Sequence, residues 1–266
     1  MSDQLAAFIL GLVQGLTEFL PVSSTAHLIL VSDALKLDPE KFGLTFDVAL
    51  HLGTALAVLL YFAGTWVGLL VDVIRGRWRV PLAIVVGTIP AAIAGVLFES
   101  TISTTVRSTA YIAVGLLIGS AIFVLAERAG TQRRRIDRVT LVDGIIVGAA
   151  QAVALLPGIS RSGITISAGL VRGLERADAT RFAFLLATPI ILGAGLKTLL
   201  DARKLAGLTA QLDVVAIGFV VSFVSGFAAV AFLVRYLRTH SLRIFVIYRV
   251  VLAIVILVAL ALGALH

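Results

Sequence analysis

A carboxylate, hydroxyls and an imidazole stand close together in QGLTEFLPVSSTAH, residues 14–27. Gln14 and Glu18 are four apart, so they share one face if the stretch is helical. Glu18 lies among Leu16, Phe19 and Leu20, and an ionisable group in so apolar a run is costly unless it has a function. A carboxylate there can bind a divalent cation through oxygen or act as a base. Gln14 can only orient a water, a phosphate or a metal. Beyond Pro21, Ser23 and Ser24 occupy positions where a second helix begins, and their hydroxyls either cap it or face a ligand. Ser24 and His27 are three apart, and a hydroxyl beside an imidazole is the smallest activated nucleophile.

A second polar stretch, PGISRSGIT, runs from Pro157 to Thr165. Arg161 stands between Ser160 and Ser162 in the middle of an apolar region, and a planar guanidinium suits bidentate phosphate binding. Gly158 and Gly163 permit close backbone approach. Thr165, four residues after Arg161, is expected on the same face. The two stretches together supply one acid, one imidazole, several hydroxyls, a guanidinium and two helix N-termini that can meet an anion. That set suits a phosphate or diphosphate. It lacks the acidic pair of a glycosidase.

The elements that must hold these residues are membrane helices. Of 266 residues, 59% are hydrophobic and only 14% charged, against about 25% charged in soluble domains. The mean hydropathy is +1.07. So much apolar surface cannot be buried in one soluble core, and the expected class is an all-α polytopic membrane protein. The net charge of +7 comes from arginines in short loops between apolar runs, a topogenic pattern rather than a nucleic-acid surface. No cysteine is present, which removes disulfides and thiolate metal sites. The N-terminus lacks the basic start of a cleavable signal.

Spanning runs are expected over 46–70, 80–98, 108–126, 182–200, 214–234 and 244–264. The runs over 5–20 and 140–156 are shorter, end near Pro21 and Pro157, and are followed by short apolar runs over 24–31 and 164–171. Proline cannot continue a helical ladder, so each is read as a re-entrant hairpin of two half-helices. With two hairpins and six spans, 14 Lys and Arg fall on one side of the membrane and 5 on the other, which places the first side in the cytoplasm. The halves, about 1–127 and 139–264, are then inverted repeats in one membrane domain, joined by a linker over 128–138. Gly11-x-x-Gln14 echoes Gly148-x-x-Gln151, and Phe19-Leu20-Pro21 echoes Leu155-Leu156-Pro157. Inverted repeats with broken helices are also typical of transporters, so a lipid-phosphate flippase or secondary transporter is the alternative reading. Other residues are expected to matter less: His51 as a hydrogen bond across its helix, Asp47 as that helix's cap, Tyr248 and Arg249 as interfacial anchors, Glu99 and Glu127 as charges at loop ends.

The two polar stretches resemble those of the bacterial undecaprenyl-diphosphate phosphatase family, also known as bacitracin-resistance proteins. The first family motif is Glu or Gln, three residues, Glu, then FLPVSSTGH, and stands here as Gln14 to His27. The second, PGxSRSxxT, stands as Pro157 to Thr165. FDVALHLGT, from Phe46 to Thr54, is also similar, and the resemblance covers nearly the whole chain. Ala26 departs from the usual Gly and adds one methyl beside the site. Gln14 leaves Glu18 as the one carboxylate of the first motif. The resemblance implies hydrolysis of the C55 isoprenyl diphosphate to the monophosphate, recycling the lipid carrier for peptidoglycan and conferring bacitracin resistance. It implies a divalent cation, Mg or Ca, held partly by Glu18, and a multi-pass protein of the cytoplasmic membrane with its site open to the outer face. Partners are the lipid substrate and membrane lipids, with no nucleic acid, and a homodimer is compatible with the sequence. Glu18, Ser24, His27 and Arg161 are the implied catalytic residues. Gln14, Ser23, Ser160, Ser162, Gly163 and Thr165 are the expected substrate-binding residues. Either Ser24 attacks with His27 as base, or His27 and Glu18 position a water.

Overall fold

The computed structural model describes residues 1–98, 108–201 and 209–263, with the backbone alone for Leu44. Glu99, Arg107, Arg203 and Lys204 lie outside the described residues. Among the described residues the regular elements are all helices: α1 Asp3–Phe19, α2 Ser24–Ala34, α3 Leu44–Tyr61, α4 Ala63–Ile74, α5 Arg79–Leu97, α6 Thr109–Ala129, α7 Leu141–Val153, α8 Arg161–Val171, α9 Arg176–Leu200, α10 Leu212–Tyr236 and α11 Arg243–Ala261. Five of these, α5, α6, α9, α10 and α11, are long and apolar enough to cross a membrane. Isoleucine, leucine and valine side chains on them, such as Val85, Ile118, Val224 and Val255, remain exposed, as a lipid-facing surface requires.

The two hairpins take shape where proline predicts a break. α1 stops at Phe19, and Leu20 turns extended before Pro21. α7 stops at Val153, and a tight turn carries the chain to Pro157. α2 and α8 then start at Ser24 and Arg161. The run over 46–70 is long and apolar enough to be a sixth span when α3 and α4 are taken together, but it is bent: the two helices meet at 67° around Phe62. No proline stands at the bend. Phe62 instead packs among Val58 and Phe184 in the main core, and that burial holds the elbow.

The halves pack reciprocally. α1 lies along α10, while α7 lies along α5; α6 pairs with α11, and α3 with α9. Glycine permits both of the reciprocal contacts. A side chain at Gly11 would meet the Gly218 carbonyl of α10, and one at Gly148 would meet the Gly87 carbonyl of α5. α2 buries Ala26 against Ile112 and Leu116 of α6 and Ala253 and Ile256 of α11. This is the arrangement expected of inverted repeats.

The segment over 128–138 is docked rather than loose. Arg133 and Arg134 donate their backbone N–H groups to the Gly173 carbonyl at 3.0 and 2.8 Å. The Arg134 guanidinium forks onto Asp143 at 3.2 and 2.6 Å, and Arg172 Nε reaches the same carboxylate at 2.7 Å. Asp143 also closes a capping box with Thr140 at the start of α7. Glu127, expected as a loop-end charge, instead joins three helices: it ends α6, accepts Arg176 of α9 at 2.6 Å and accepts the Leu242 N–H at the start of α11 at 3.0 Å.

Candidate active site

Glu18 is buried one turn before the first break, and four side chains converge on it. Ser24 donates its hydroxyl to Oε2 at 2.6 Å, and Gln14 donates Nε2 to the same oxygen at 3.1 Å. His51 Nε2 lies 3.4 Å from Oε2. Arg161 Nη1 lies 3.4 Å from Oε1. The last contact joins the two hairpins, which stand 143 residues apart in sequence. Each of these partners follows from local structure. The helical spacing of α1 stacks Gln14 below Glu18, the turn after Pro21 brings Ser24 back over it, and α3 presents His51 from the side.

The two breaks enclose a cleft of about 380 Å³, part of it open to solvent, lined by Glu18, Ser23, Ser24 and Thr25 on one side and Ala154 to Pro157, Ser160 and Arg161 on the other. The residues before the new helices, Ser23 and Ser160, both adopt the left-handed region, with φ 77° and 75°. Side chains other than glycine or Asn rarely do so, and such strain collects at functional sites. The equal geometry at equal positions makes the two breaks structural copies. Both present the first turn of a half-helix to the cleft, where free N–H groups and the helix dipole favour an anion. Ser160 Oγ accepts the Gly163 N–H at 3.3 Å and lies 3.2 Å from Ser162 Oγ. Ser162 donates across to the Leu20 carbonyl at 3.2 Å, a second tie between the hairpins.

Glu18, Ser23, Ser24, Ser160 and Arg161 are therefore brought to one cleft, with Gln14 and Ser162 directly behind it. Three expectations are corrected. Ser24 is not paired with His27. The His27 Nδ1 faces the Ser23 carbonyl at 2.8 Å, so Nδ1–H donates there, and Nε2 accepts the Tyr248 hydroxyl at 2.6 Å. The rings of His27 and Tyr248 stack with centroids 5.7 Å apart, and the acceptor placed on Ser24 is Glu18. Gly163 does not line the cleft. Its missing side chain leaves room for the Phe123 ring, and its N–H is spent on Ser160. Thr165 donates to the carbonyls of Arg161 and Ser162 at 2.7 and 3.1 Å, a back-bond within its own helix.

Sequence reasoning undervalued three residues. His51 touches Glu18, with Nδ1 toward the Asp47 carbonyl at 2.7 Å; the cost of an imidazole in an apolar run was the signal that pointed to it. Asp47 stands in the first turn of α3, whose N-cap is Gly43. Arg249 is no interfacial anchor, because it is completely buried. Tyr248 reaches His27 rather than only the membrane surface.

Among the described residues no group of three or more His, Asp or Glu side chains is placed to hold a metal by itself. Gln14 Oε1 is nevertheless buried beside Glu18 with no hydrogen-bond partner among the described residues. An amide oxygen and a carboxylate are a fitting partial set for Mg or Ca, which take oxygen ligands and commonly complete their shell with phosphate oxygens and water.

Residues 7–255 match the model of the family described as bacitracin resistance protein BacA. An undecaprenyl-diphosphatase from Rubrobacter xylanophilus is 42% identical over 263 residues, covering 95% of this chain and 97% of the relative. Others of the same name, from Geotalea daltonii and Moorella thermoacetica, are 44% and 46% identical, covering 98% and 95% of this chain and 100% and 96% of theirs.

Proposed function

The chain belongs to the bacitracin resistance protein BacA family, and we propose that it is an undecaprenyl-diphosphate phosphatase. It hydrolyses the C55 isoprenyl diphosphate to the monophosphate and phosphate, which recycles the lipid carrier for peptidoglycan synthesis and confers bacitracin resistance. The observation that carries this reading is the 3.4 Å contact between Glu18 and Arg161. It sets a carboxylate, a guanidinium, a hydroxyl and two helix N-termini around one cleft. Phosphoryl transfer needs little covalent chemistry from a protein beyond such positioning and charge stabilisation.

In the proposed reaction the prenyl chain stays between helices in the bilayer and the diphosphate enters the cleft. Arg161 and the N–H groups starting α2 and α8 hold its oxygens. Ser24 Oγ attacks the terminal phosphorus while its proton passes to Glu18 Oε2. The bond to the bridging oxygen breaks, and the lipid monophosphate leaves with that electron pair. Glu18 then returns that proton to the departing Ser24 Oγ as water cleaves the phosphoserine, releasing phosphate and, from the water, one proton to solvent. The 2.6 Å Ser24–Glu18 hydrogen bond supports this route over one in which His27 is the base, since both of its nitrogens face other partners. The competing route, a water placed by Glu18, uses the same cleft. Glu18 and Gln14 Oε1 would hold the divalent cation, Mg or Ca, which would neutralise charge on the diphosphate.

We further propose that the protein sits in the cytoplasmic membrane with the cleft open to its outer face, from the 14-to-5 bias of Lys and Arg between its two sides. The reciprocal packing supports two inverted halves over about 1–127 and 139–264 in a single domain. The test is phosphate release from C55 isoprenyl diphosphate by the purified protein in detergent with Mg, with Ca and with chelator, beside Glu18→Ala and Arg161→Ala. Metal-dependent release, lost in both variants, is expected. No release by folded wild type under any cation moves the assignment to a lipid-phosphate transporter using the same cleft.

A further inference from the structure

Arg249 is the largest side chain that is completely buried, and among the described residues it has no carboxylate within ion-pair distance. A bare cation in a membrane protein is costly, so its five donors must be satisfied otherwise. Nη1 donates to the Pro21 carbonyl at 3.4 Å, and Nη2 to the Gly158 carbonyl at 2.8 Å. Nη2 also reaches the carbonyls of Gly115 and Leu116 at 3.3 and 3.1 Å, and Nε reaches Ser120 Oγ at 3.2 Å. The guanidinium carbon lies 4.7 Å from the centre of the Phe123 ring, a favourable cation–π geometry. α6 is cleared at Gly119 to admit this group, where a side chain would collide with the guanidinium, and at Gly115 to admit the second break, where a side chain would meet the Pro157 carbonyl.

Two of these acceptors are special. Pro21 and Gly158 stand in the two breaks. A broken helix frees carbonyl oxygens as well as N–H groups. Near an anion the N–H groups attract and the carbonyls repel. We propose that Arg249 is a positioning residue of the phosphate site: its guanidinium occupies one carbonyl from each break and fixes both half-helix N-termini on the same cleft. A planar fork can span two carbonyls of different segments. The ammonium of lysine, a point donor on a flexible stem, cannot. The inference rests on the phosphatase reading and adds to it a residue outside both hairpins.

The test uses the full-length protein purified in detergent, with Arg249→Lys and Gly119→Ala beside wild type. Gly119→Ala keeps the charge and pushes a methyl against the guanidinium and against the Ile159 carbonyl of the second break. For each, kcat and KM on C55 isoprenyl diphosphate are measured with the folded fraction from gel filtration and the melting temperature. At equal folded fraction, kcat is expected to fall by about 10²-fold in Arg249→Lys, the scale of a misplacement near 1 Å, while KM moves far less. A role in stability alone would lower the melting temperature and leave kcat per folded molecule intact. Wild-type kcat per folded molecule in Arg249→Lys overturns the proposal. Should Arg249→Lys fail to fold, Gly119→Ala is read together with Ser120→Ala, which removes one acceptor of Nε without adding bulk and leaves the backbone of the break untouched. A smaller loss of kcat is expected in Ser120→Ala, and wild-type kcat per folded molecule in both overturns the proposal. No release by wild type overturns the phosphatase reading and this inference with it; release by wild type with unchanged variants overturns only the role of Arg249.

Discussion

Arg161 Nη1 stands 3.4 Å from Glu18 Oε1, although the two belong to different hairpins. The pair sets the carboxylate and the guanidinium against each other, and in the proposed reaction phosphate oxygens would offer Arg161 a bidentate partner. Arg161→Ala is expected to lower kcat/KM by about 10²–10³-fold, roughly 3–4 kcal/mol, by comparison with loss of a single oxyanion donor. Steady-state phosphate release checks it, and a loss below about tenfold would remove the assigned role. Because the two side chains act through one shared contact, Glu18→Gln and Arg161→Ala should not add. The double variant is expected to be close to the worse single one, so the coupling should be about as large as the smaller single loss, roughly 3 kcal/mol.

Ser24 points its hydroxyl at Glu18, not at His27. Ser24→Ala should therefore abolish turnover if the hydroxyl is the nucleophile, and a phosphoserine should be trapped in wild type by rapid acid quench. Glu18→Gln should suppress its formation. Undiminished turnover in Ser24→Ala would transfer the chemistry to a water held by Glu18.

Tyr248 fixes His27 through a 2.6 Å hydrogen bond. Tyr248→Phe keeps the stacked ring and deletes one bond worth about 0.5–1.5 kcal/mol. A loss of kcat/KM of about two- to tenfold is expected on that scale, with His27→Gln showing a loss no larger than Glu18→Gln. If His27→Gln were the more damaging variant, His27 would have to swing toward the cleft during turnover.

Asp143 binds two arginines and the cap of α7, far from the cleft. Asp143→Asn strips a carboxylate that is completely buried and leaves Arg134 and Arg172 partly exposed, so they recover some hydration. A destabilisation of about 1–3 kcal/mol is expected, below the 3–5 of a fully buried pair. Thermal unfolding in detergent measures it, and kcat per folded molecule should be unchanged.

Much of this site can be read from residue types. Pro21 and Pro157 announce the breaks because a ring nitrogen has no proton to give. Glu18 and Arg161 announce function because charge in an apolar run is costly. The elbow at Phe62 could not be read in this way, since no proline stands there and the role of Phe62 emerges only from its packing in the core with Val58 and Phe184. Arg249 was equally opaque: an arginine near the start of an apolar run looks like a surface anchor until Pro21, Gly115, Leu116, Ser120 and Gly158 are brought around it. The Ser24–His27 pairing failed for a local reason. Residues three apart do share a face, but His27 is turned to the Ser23 carbonyl and to a tyrosine 221 residues away. Gln151 shows how the repeats diverged. It matches Gln14, yet Leu155 stands where Glu18 would be, and its amide is buried without a partner among the described residues.

The seating of α1 on α10 places a demand on biosynthesis. Ser225 of α10 donates to the Gly11 carbonyl of α1, a contact spanning 214 residues. At about 5–20 residues per second the first hairpin, with Gln14 and Glu18 in it, leaves the ribosome some 10–40 s before the helix that shelters it. A half-made chain therefore holds α1 against α2 and α3 alone, and the face of α1 that α10 covers stays bare until the second half is delivered.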